Sequence, residues 1–466
     1  MSRATLSKVR RSESEIPCQH VVSGCVLVRC NCPVSAVFAR GRGLPIAVAA
    51  SGCEIVDAEG RRYLDGCGGA IVVNLGHGDP VVMSALRTAA NEGAVDYVHA
   101  TQFSTSLLEH YASELASVVP VDDAHVYPVS GGSEAIETAL KLARAFHLAR
   151  GDSGRHVVIS RRGSYHGNSR GALDVSGREP IRQPYLPWLG QAIHVSPAYP
   201  YRVETSGAAL AEELDNTILR VGPKRVAAFV AEPIAGAALG ACLPPDDYWP
   251  AIEQVCHAHG VLLIADEVMT GFGRTGTWFA CDHWGVRPDV LVAGKGASNG
   301  MWPIGLAVAS GRVHDAVQAS GGFVHGFTWS HHPIGARIGI AVLQRLGSDG
   351  LINRSAVSGA VLHSLLRNAL QDSPIVGDVR GRGLFAGIEL VSDRETKEPF
   401  RREEAIAERV TRAAKDMGLL VYPSTGCVDG VNGDVLNLGP PFIVTNAELE
   451  TIVERLASSI ETTGVP

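Results

Sequence analysis

The sequence predicts an α/β protein: a mostly parallel sheet with helices on both faces, followed by a smaller α+β region. Three observations lead there. Between about residues 120 and 310, short runs of valine, isoleucine, leucine and alanine alternate with glycine-bearing loops and helical apolar spacing, as strands buried on both faces do. Several of these runs end on polar residues, where open α/β sheets place their ligand crevices. From about Gly335 the order changes. Helical stretches at 338–346 and 356–370 lead to strand-like segments at 383–391, 419–422 and 435–438, a charged helix near 403–417, and a last helix from Asn446.

Composition narrows the class. The chain has 466 residues, 45% hydrophobic and 19% charged, enough for two or three domains of ordinary globular character. Its net charge of −7 gives no reason to expect nucleic acid or an anionic membrane as partner, and no apolar run is long enough for a membrane span. Four of the ten cysteines, Cys18, Cys25, Cys30 and Cys32, crowd residues 1–33 around His20. A zinc site is one reading of that group, but its spacing matches no familiar knuckle. Residues 1–33 are therefore expected to be an extension outside the fold, and the dispersed, reduced cysteines suggest a cytoplasmic location.

Along the chain, GCEIVDAEGRRYLDGCGG (52–69) reads as a hairpin, and NLGHGDP (74–80) as a loop whose Pro80 opens a helix. Helical spacing follows over 80–94 and 105–118. Segment 127–151 begins as a strand, meets Gly131, Gly132 and Ser133, and continues as a long amphipathic helix. Small residues there leave helix N–H groups free for a phosphate; capping by Ser133 with Glu134 and Glu137 is the open alternative. RHVVISRRGSYHGNS (155–169) is a strand followed by Tyr165 and His166, where the tyrosine can stack on a planar ring or simply pack in a core. KRVAAFVAEPIAG (224–236) is a strand ending near Glu232. VLLIADEVMTGFGRTGT (261–277) ends its strand on Asp266 and Glu267. The apolar run at 290–293 precedes Lys295, and MWPIGLAVAS (301–310) is a further strand.

A carboxylate and a lysine on the ends of two strands of one sheet can hold a cationic ring nitrogen and form a Schiff base. Pyridoxal phosphate needs that pairing. Two other patterns point elsewhere. GFGRTG (271–276) fits the dinucleotide fingerprint, but Asp266 and Glu267 separate it from its strand and no helix is expected after it. GASNG (296–300) fits the nucleophile elbow of serine hydrolases, but Met301, Trp302 and Pro303 forbid the long helix that must follow.

Taken together, SGGSEAIETALKLAR, SYHG, AEPI, ADEVMTGFGRTG, the GKG lysine and HGFTWSHHP make the chain, from about Val34 onward, resemble the class III aminotransferases, pyridoxal-phosphate enzymes of fold type I. The resemblance implies a large cofactor domain over 80–334 with a seven-stranded, mostly parallel sheet. It also implies a small α+β domain over 335–466, with segment 34–79 packing against it. By the same resemblance, Lys295 carries the Schiff base and moves the proton, and Asp266 pairs with the pyridine nitrogen. Gly132 and Ser133 cradle the phosphate, Tyr165 and Val268 flank the ring, and His166 and Glu232 lie beside it. Thr328 matches a threonine that reaches the phosphate of the neighbouring subunit, which implies a homodimer with shared sites. No metal is implied. The implied reaction moves an amino group from an amine or amino acid to a 2-oxo acid, pyruvate or 2-oxoglutarate, with ping-pong kinetics. Decarboxylases, racemases and phospho-lyases share these cofactor residues; a non-enzymatic binding role would predict a damaged site. One departure stands out. The arginine that many members carry before the C-terminal Pro-Pro, to grip a substrate carboxylate, is Asn437 here, which leaves Arg380 and Arg382 as candidates.

Overall fold

Seven apolar runs pair into the central sheet of the computed structural model, which describes residues 38, 41, 43–91, 96–190 and 192–463. In chain order the strands are β1 (His125–Val129), β2 (Val157–Arg161), β3 (Ile193–Val195), β4 (Val226–Ala231), β5 (Leu262–Asp266), β6 (Val290–Ala293) and β7 (Gly305–Ala309). They lie in the order β1-β7-β6-β5-β4-β2-β3. Neighbours from β3 to β6 pair parallel, and β7 alone runs antiparallel to both β1 and β6. The expected mostly parallel, seven-stranded sheet is therefore present. The zinc reading of Cys18, Cys25, Cys30 and Cys32 lies outside the described residues.

Side chains of successive strand residues point to opposite faces, and the core follows that alternation. Leu262 and Ile264 of β5 pack with Ala135, Ile136, Ala139 and Phe146 of the helix Gly132–Ala149 (α1). Leu263 faces the other way, with Leu214, Trp249 and Ile252. Each such aliphatic side chain contributes roughly 1.5–3 kcal/mol by leaving water, and a strand buried on both faces collects that gain at every position. Among the described residues no helix is long and apolar enough to cross a membrane.

Two smaller sheets flank this layer, one antiparallel throughout and one mixed. Val376–Gly381, Ala386–Leu390, Asp434–Leu438 and Tyr422–Thr425 pair in that order. The hairpin expected at 52–69 forms between Glu54–Asp57 and Arg62–Asp65. Its outer strand gains a parallel partner, Leu419–Leu420, from far along the chain. The first two expected helices run over Pro80–Asn91 and Ser106–Ala116, the second capped by the Thr105 side chain, which accepts from the Leu108 N–H at 3.3 Å. Ile193–Val195, only three residues long, is too short to show a period in sequence.

Both decoy motifs resolve structurally. GASNG starts a single 3₁₀ turn, Lys295–Ser298, which Asn299 ends in the left-handed region (φ 53°). Ser298 is buried and donates to the Trp302 carbonyl at 2.6 Å, so it is no exposed nucleophile. GFGRTG turns back on itself and sends Arg274 into the core.

Arg274 is completely buried. Its Nη1 donates to the carbonyls of Leu384 and Pro440, both at 2.8 Å, and its Nη2 donates to Asn74 Oδ1 at 2.6 Å. The guanidinium lies 4.7 Å from the Phe442 ring centroid. Burial brings its pKa down to about 9, against the opposing pull of Asp65 and Cys67. One side chain thus joins the segment after the hairpin, the loop after β5 and the C-terminal sheet. Arg274→Ala strands three acceptors and opens a void, so it should cost about 3–5 kcal/mol. Arg274→Met, which refills part of the volume, should cost less. Urea unfolding is the measurement, with a lowered midpoint at unchanged slope expected for both.

Candidate active site

The C-terminal edge of the central sheet gathers the ionisable residues. Asp266 is the last residue of β5, Glu232 follows β4, Tyr165 and His166 follow β2, and Lys295 follows β6. Together with Gly132, Ser133 and Val268 they line one cavity of about 170 Å³. Eight of the nine site residues expected from sequence therefore meet in one place.

Asp266 anchors the arrangement. Its Oδ2 lies 2.7 Å from His166 Nδ1, and its Oδ1 accepts the Val268 N–H at 3.1 Å, shaping the turn. The His166 backbone N–H donates to Ser176 Oγ at 2.8 Å, and that hydroxyl donates to the Ala172 carbonyl at 2.8 Å. His166 Nε2 is buried without a partner among the described residues. Glu232 accepts N–H groups from Gly236 at 3.0 Å and Tyr165 at 3.3 Å. Burial raises its pKa; His166 opposes that rise and Asp266 adds to it.

Lys295 sits at φ 45°, strained for a side chain with a Cβ. Burial lowers its pKa to about 8; Asp266 and Glu232 pull the other way, and Arg274 adds to the lowering. The lysine makes no hydrogen bond or ion pair among the described residues. It is a buried amine with a lowered pKa in a carboxylate-lined cavity.

The opposite end of the cavity is the start of α1. The first N–H groups of a helix have no partner within it, and they carry its positive end. Glu134 Oε2 accepts the Ser130 N–H at 2.9 Å and Glu137 Oε1 accepts the Gly171 N–H at 2.7 Å, so these acids brace the neighbouring loops. Ser133 does not cap its own helix: its Oγ accepts the Asn168 N–H at 3.1 Å. Gly167 (φ 135°) lies against it so closely that a Cβ there would come within 2.3 Å of Ser133 Oγ. A free helix start for a phosphate, a carboxylate for a protonated ring nitrogen and a buried amine for an aldehyde together fit pyridoxal phosphate.

Thr328, which the resemblance assigns to the neighbouring subunit's site, lies outside this chain's own cavity, in a separate hollow of about 1000 Å³ with His325, Phe327 and Ser330. Glu267, although adjacent to Asp266, points away and accepts from Thr270 Oγ1, the Ala280 N–H at 3.0 Å and the Cys281 N–H at 2.7 Å, a loop-organising role. Arg380 is not free for a substrate. It pairs with Asp378 at 2.8 Å and Glu389 at 2.6 Å and donates to the Gly240 carbonyl at 2.8 Å. Arg382 is exposed and does not line the cavity. Asn437 is buried in its strand, donating to the Tyr422 carbonyl at 3.3 Å.

Sequence reasoning missed Asn168, whose Nδ2 donates to the Tyr165 hydroxyl at 3.0 Å. It also missed the apolar wall of Ile234, Ala237 and Met269. Each stands in or beside one of the distinctive motifs, so proximity was the available signal.

The Lys295 shift has a sign that can be checked. In cofactor-free protein the folded state loses the lysine proton near pH 8, the unfolded chain near its ordinary 10.5. Over that window the unfolded state holds more protons, so Lys295 makes stability rise with pH; below pH 8 its full cost is present. Lys295→Met should remove that rise in a series of denaturant titrations from pH 7 to 11.

Comparisons with known proteins identify the family. The sequence profile described as aminotransferase class-III matches residues 38–460. The aminotransferase YodT of Bacillus subtilis is 38% identical over 422 residues, covering 89% of this chain and 95% of the relative. The putrescine–pyruvate aminotransferase of Pseudomonas aeruginosa is 31% identical over 440 residues, 91% and 92% of the two chains. Among solved structures, an (S)-enantioselective omega-transaminase from Thermomicrobium roseum superposes with a TM-score of 0.85 at 34% identity, covering 91% of this chain and 93% of the other. The omega transaminase of Pseudomonas jessenii in complex with PMP gives 0.84 at 30% identity, 90% and 93% covered. A match over most of the length, on a fold shared with transaminases, places this chain in the class III aminotransferases, enzymes that depend on pyridoxal phosphate.

Proposed function

We propose that this enzyme moves an amino group from an amine or amino acid donor to a 2-oxo acid such as pyruvate or 2-oxoglutarate, with Lys295 as the proton carrier. The carrying observation is the buried, low-pKa amine of Lys295 in one cavity with the Asp266–His166 pair. Bound pyridoxal phosphate supplies a ring that accepts the electron pair left on the substrate α-carbon. Asp266 holds a proton on the ring nitrogen, and His166 fixes the carboxylate that does so. Gly132 and Ser133 hold the phosphate at the start of α1. Tyr165 and Val268 confine the ring, and Glu232 sits beside it, tying the Tyr165 loop to the segment after β4. Lys295 Nζ, its hold on a proton weakened by burial, would take the proton from the substrate α-carbon and carry it within the cavity.

We further propose a homodimer in which Thr328 completes the partner's site, with residues 80–334 and 335–466 as large and small domains. The support is the hollow around Thr328, flanked by exposed Tyr97, Phe103, Val324 and Trp329, an apolar surface suited to a second copy. A cytoplasmic location belongs to the same reading and rests on six described cysteines, all free and buried.

The visible spectrum of the cofactor-loaded protein, taken before and after each of a panel of amines and amino acids, tests the reaction. One donor should convert the spectrum and a 2-oxo acid restore it, while Lys295→Ala should lose turnover by at least about 10³-fold. Release of carbon dioxide or phosphate instead would reassign the reaction to a decarboxylase or phospho-lyase. Subunit mixing tests the shared site. Lys295→Ala and Thr328→Ala chains, unfolded and refolded together, should regain up to about a quarter of wild-type activity. Activity no higher than the sum of the parents would place Thr328 outside the site.

A further inference from the structure

Away from the catalytic cavity, the start of β1 and the first half of a later helix bring three metal-ligating side chains together. His125 opens β1, and His314 and Asp315 stand in the helix Gly311–Ala319. The two imidazoles stack with centroids 3.5 Å apart and planes 2° from parallel. His314 Nδ1 lies 2.9 Å from Asp315 Oδ1. One ring nitrogen from each histidine and one carboxylate oxygen fall within 4.8 Å of one another.

Ligand atoms around one ion with bonds of ~2.0–2.1 Å stand about 3.0–3.4 Å apart. The three ligand atoms lie within 4.8 Å of one another, so side-chain rotation at the surface has to draw them closer and tilt the stacked rings until both nitrogens face one ion. Among the described residues, none of the three side chains has a hydrogen bond outside the cluster, so binding an ion breaks no other contact. His125 and Asp315 are exposed in the single chain, and both histidines line the hollow that holds Thr328, so the site borders the surface proposed above for a second copy.

We propose that His125, His314 and Asp315 form a binding site for a divalent transition ion of the zinc, nickel and copper class, clamping β1 to the helix after β7. Two imidazoles and one carboxylate suit these ions; magnesium and calcium prefer oxygen ligands throughout. The ion has no part in the amino-transfer chemistry.

Zinc binding by the full-length protein, stripped with chelator and dialysed against micromolar free Zn²⁺, tests this directly. Wild type is compared with His125→Gln, His314→Gln and the double variant. The N-terminal cysteines are common to all four, so the difference in bound zinc reports this site alone. The double variant should hold one zinc fewer per chain, and zinc should raise the melting temperature of wild type more than that of either single variant. Equal zinc content and equal thermal shifts in all four proteins would overturn the proposal. Should the double variant fail to fold, the single variant at exposed His125 supplies the same comparison with wild type.

Discussion

Arg274 carries a guanidinium into the interior with no carboxylate bonded to it among the described residues, and three distant segments supply its acceptors. Two carbonyls from the C-terminal region and the amide oxygen of Asn74 take its protons, and the Phe442 ring covers one face. An unpaired charge in such a place is costly, so the three segments that supply these acceptors must come together or the fold does not close. The same residue also bears on Lys295. Its charge adds to the lowering of the Lys295 pKa, and its partner Asn74 lies where a Cβ on Gly296, directly after the lysine, would come within 2.4 Å of its Nδ2. The lysine is therefore positioned and tuned by a contact that also holds the sheets together.

Asp266 plays the corresponding part within the cavity. It belongs to a strand buried on both faces, so its backbone is fixed by β4 and β6 on either side. Its carboxylate is fixed in turn by His166 and by the Val268 N–H. A group held on a rigid element with its hydrogen bonds already made loses little on meeting a cofactor, which is the advantage of preorganisation. Glu267, the next residue, illustrates the period of two: its side chain leaves on the other face and organises the 270–281 loop.

Most of the candidate cavity was legible because its residues stand at strand ends within short, distinctive motifs. Lys295, Asp266, Glu232 and the Tyr165–His166 pair each follow an apolar run, and a parallel sheet delivers such ends to one edge. The apolar wall was less legible, since Ile234, Ala237 and Met269 look like any core residues in sequence. The fate of Arg380 was only half legible. Asp378 stands two residues away on the same face of its strand, but Glu389 comes from the neighbouring strand, and cross-strand pairing sets that distance.

By itself, the sequence determined the strand and helix alternation, the parallel sheet and the identity of the cavity's ionisable residues. Those are consequences of local periodicity and of side-chain chemistry carried on each strand end. Only the tertiary structure decided which of two adjacent carboxylates faces the cavity, that Ser133 braces a loop rather than capping its helix, and that Arg274 rather than any acidic pair staples the sheets. It alone brought His125 and His314 into a stack across most of the large sheet's length of chain. Those outcomes depend on contacts between segments far apart in the chain, and no local pattern encodes such distances.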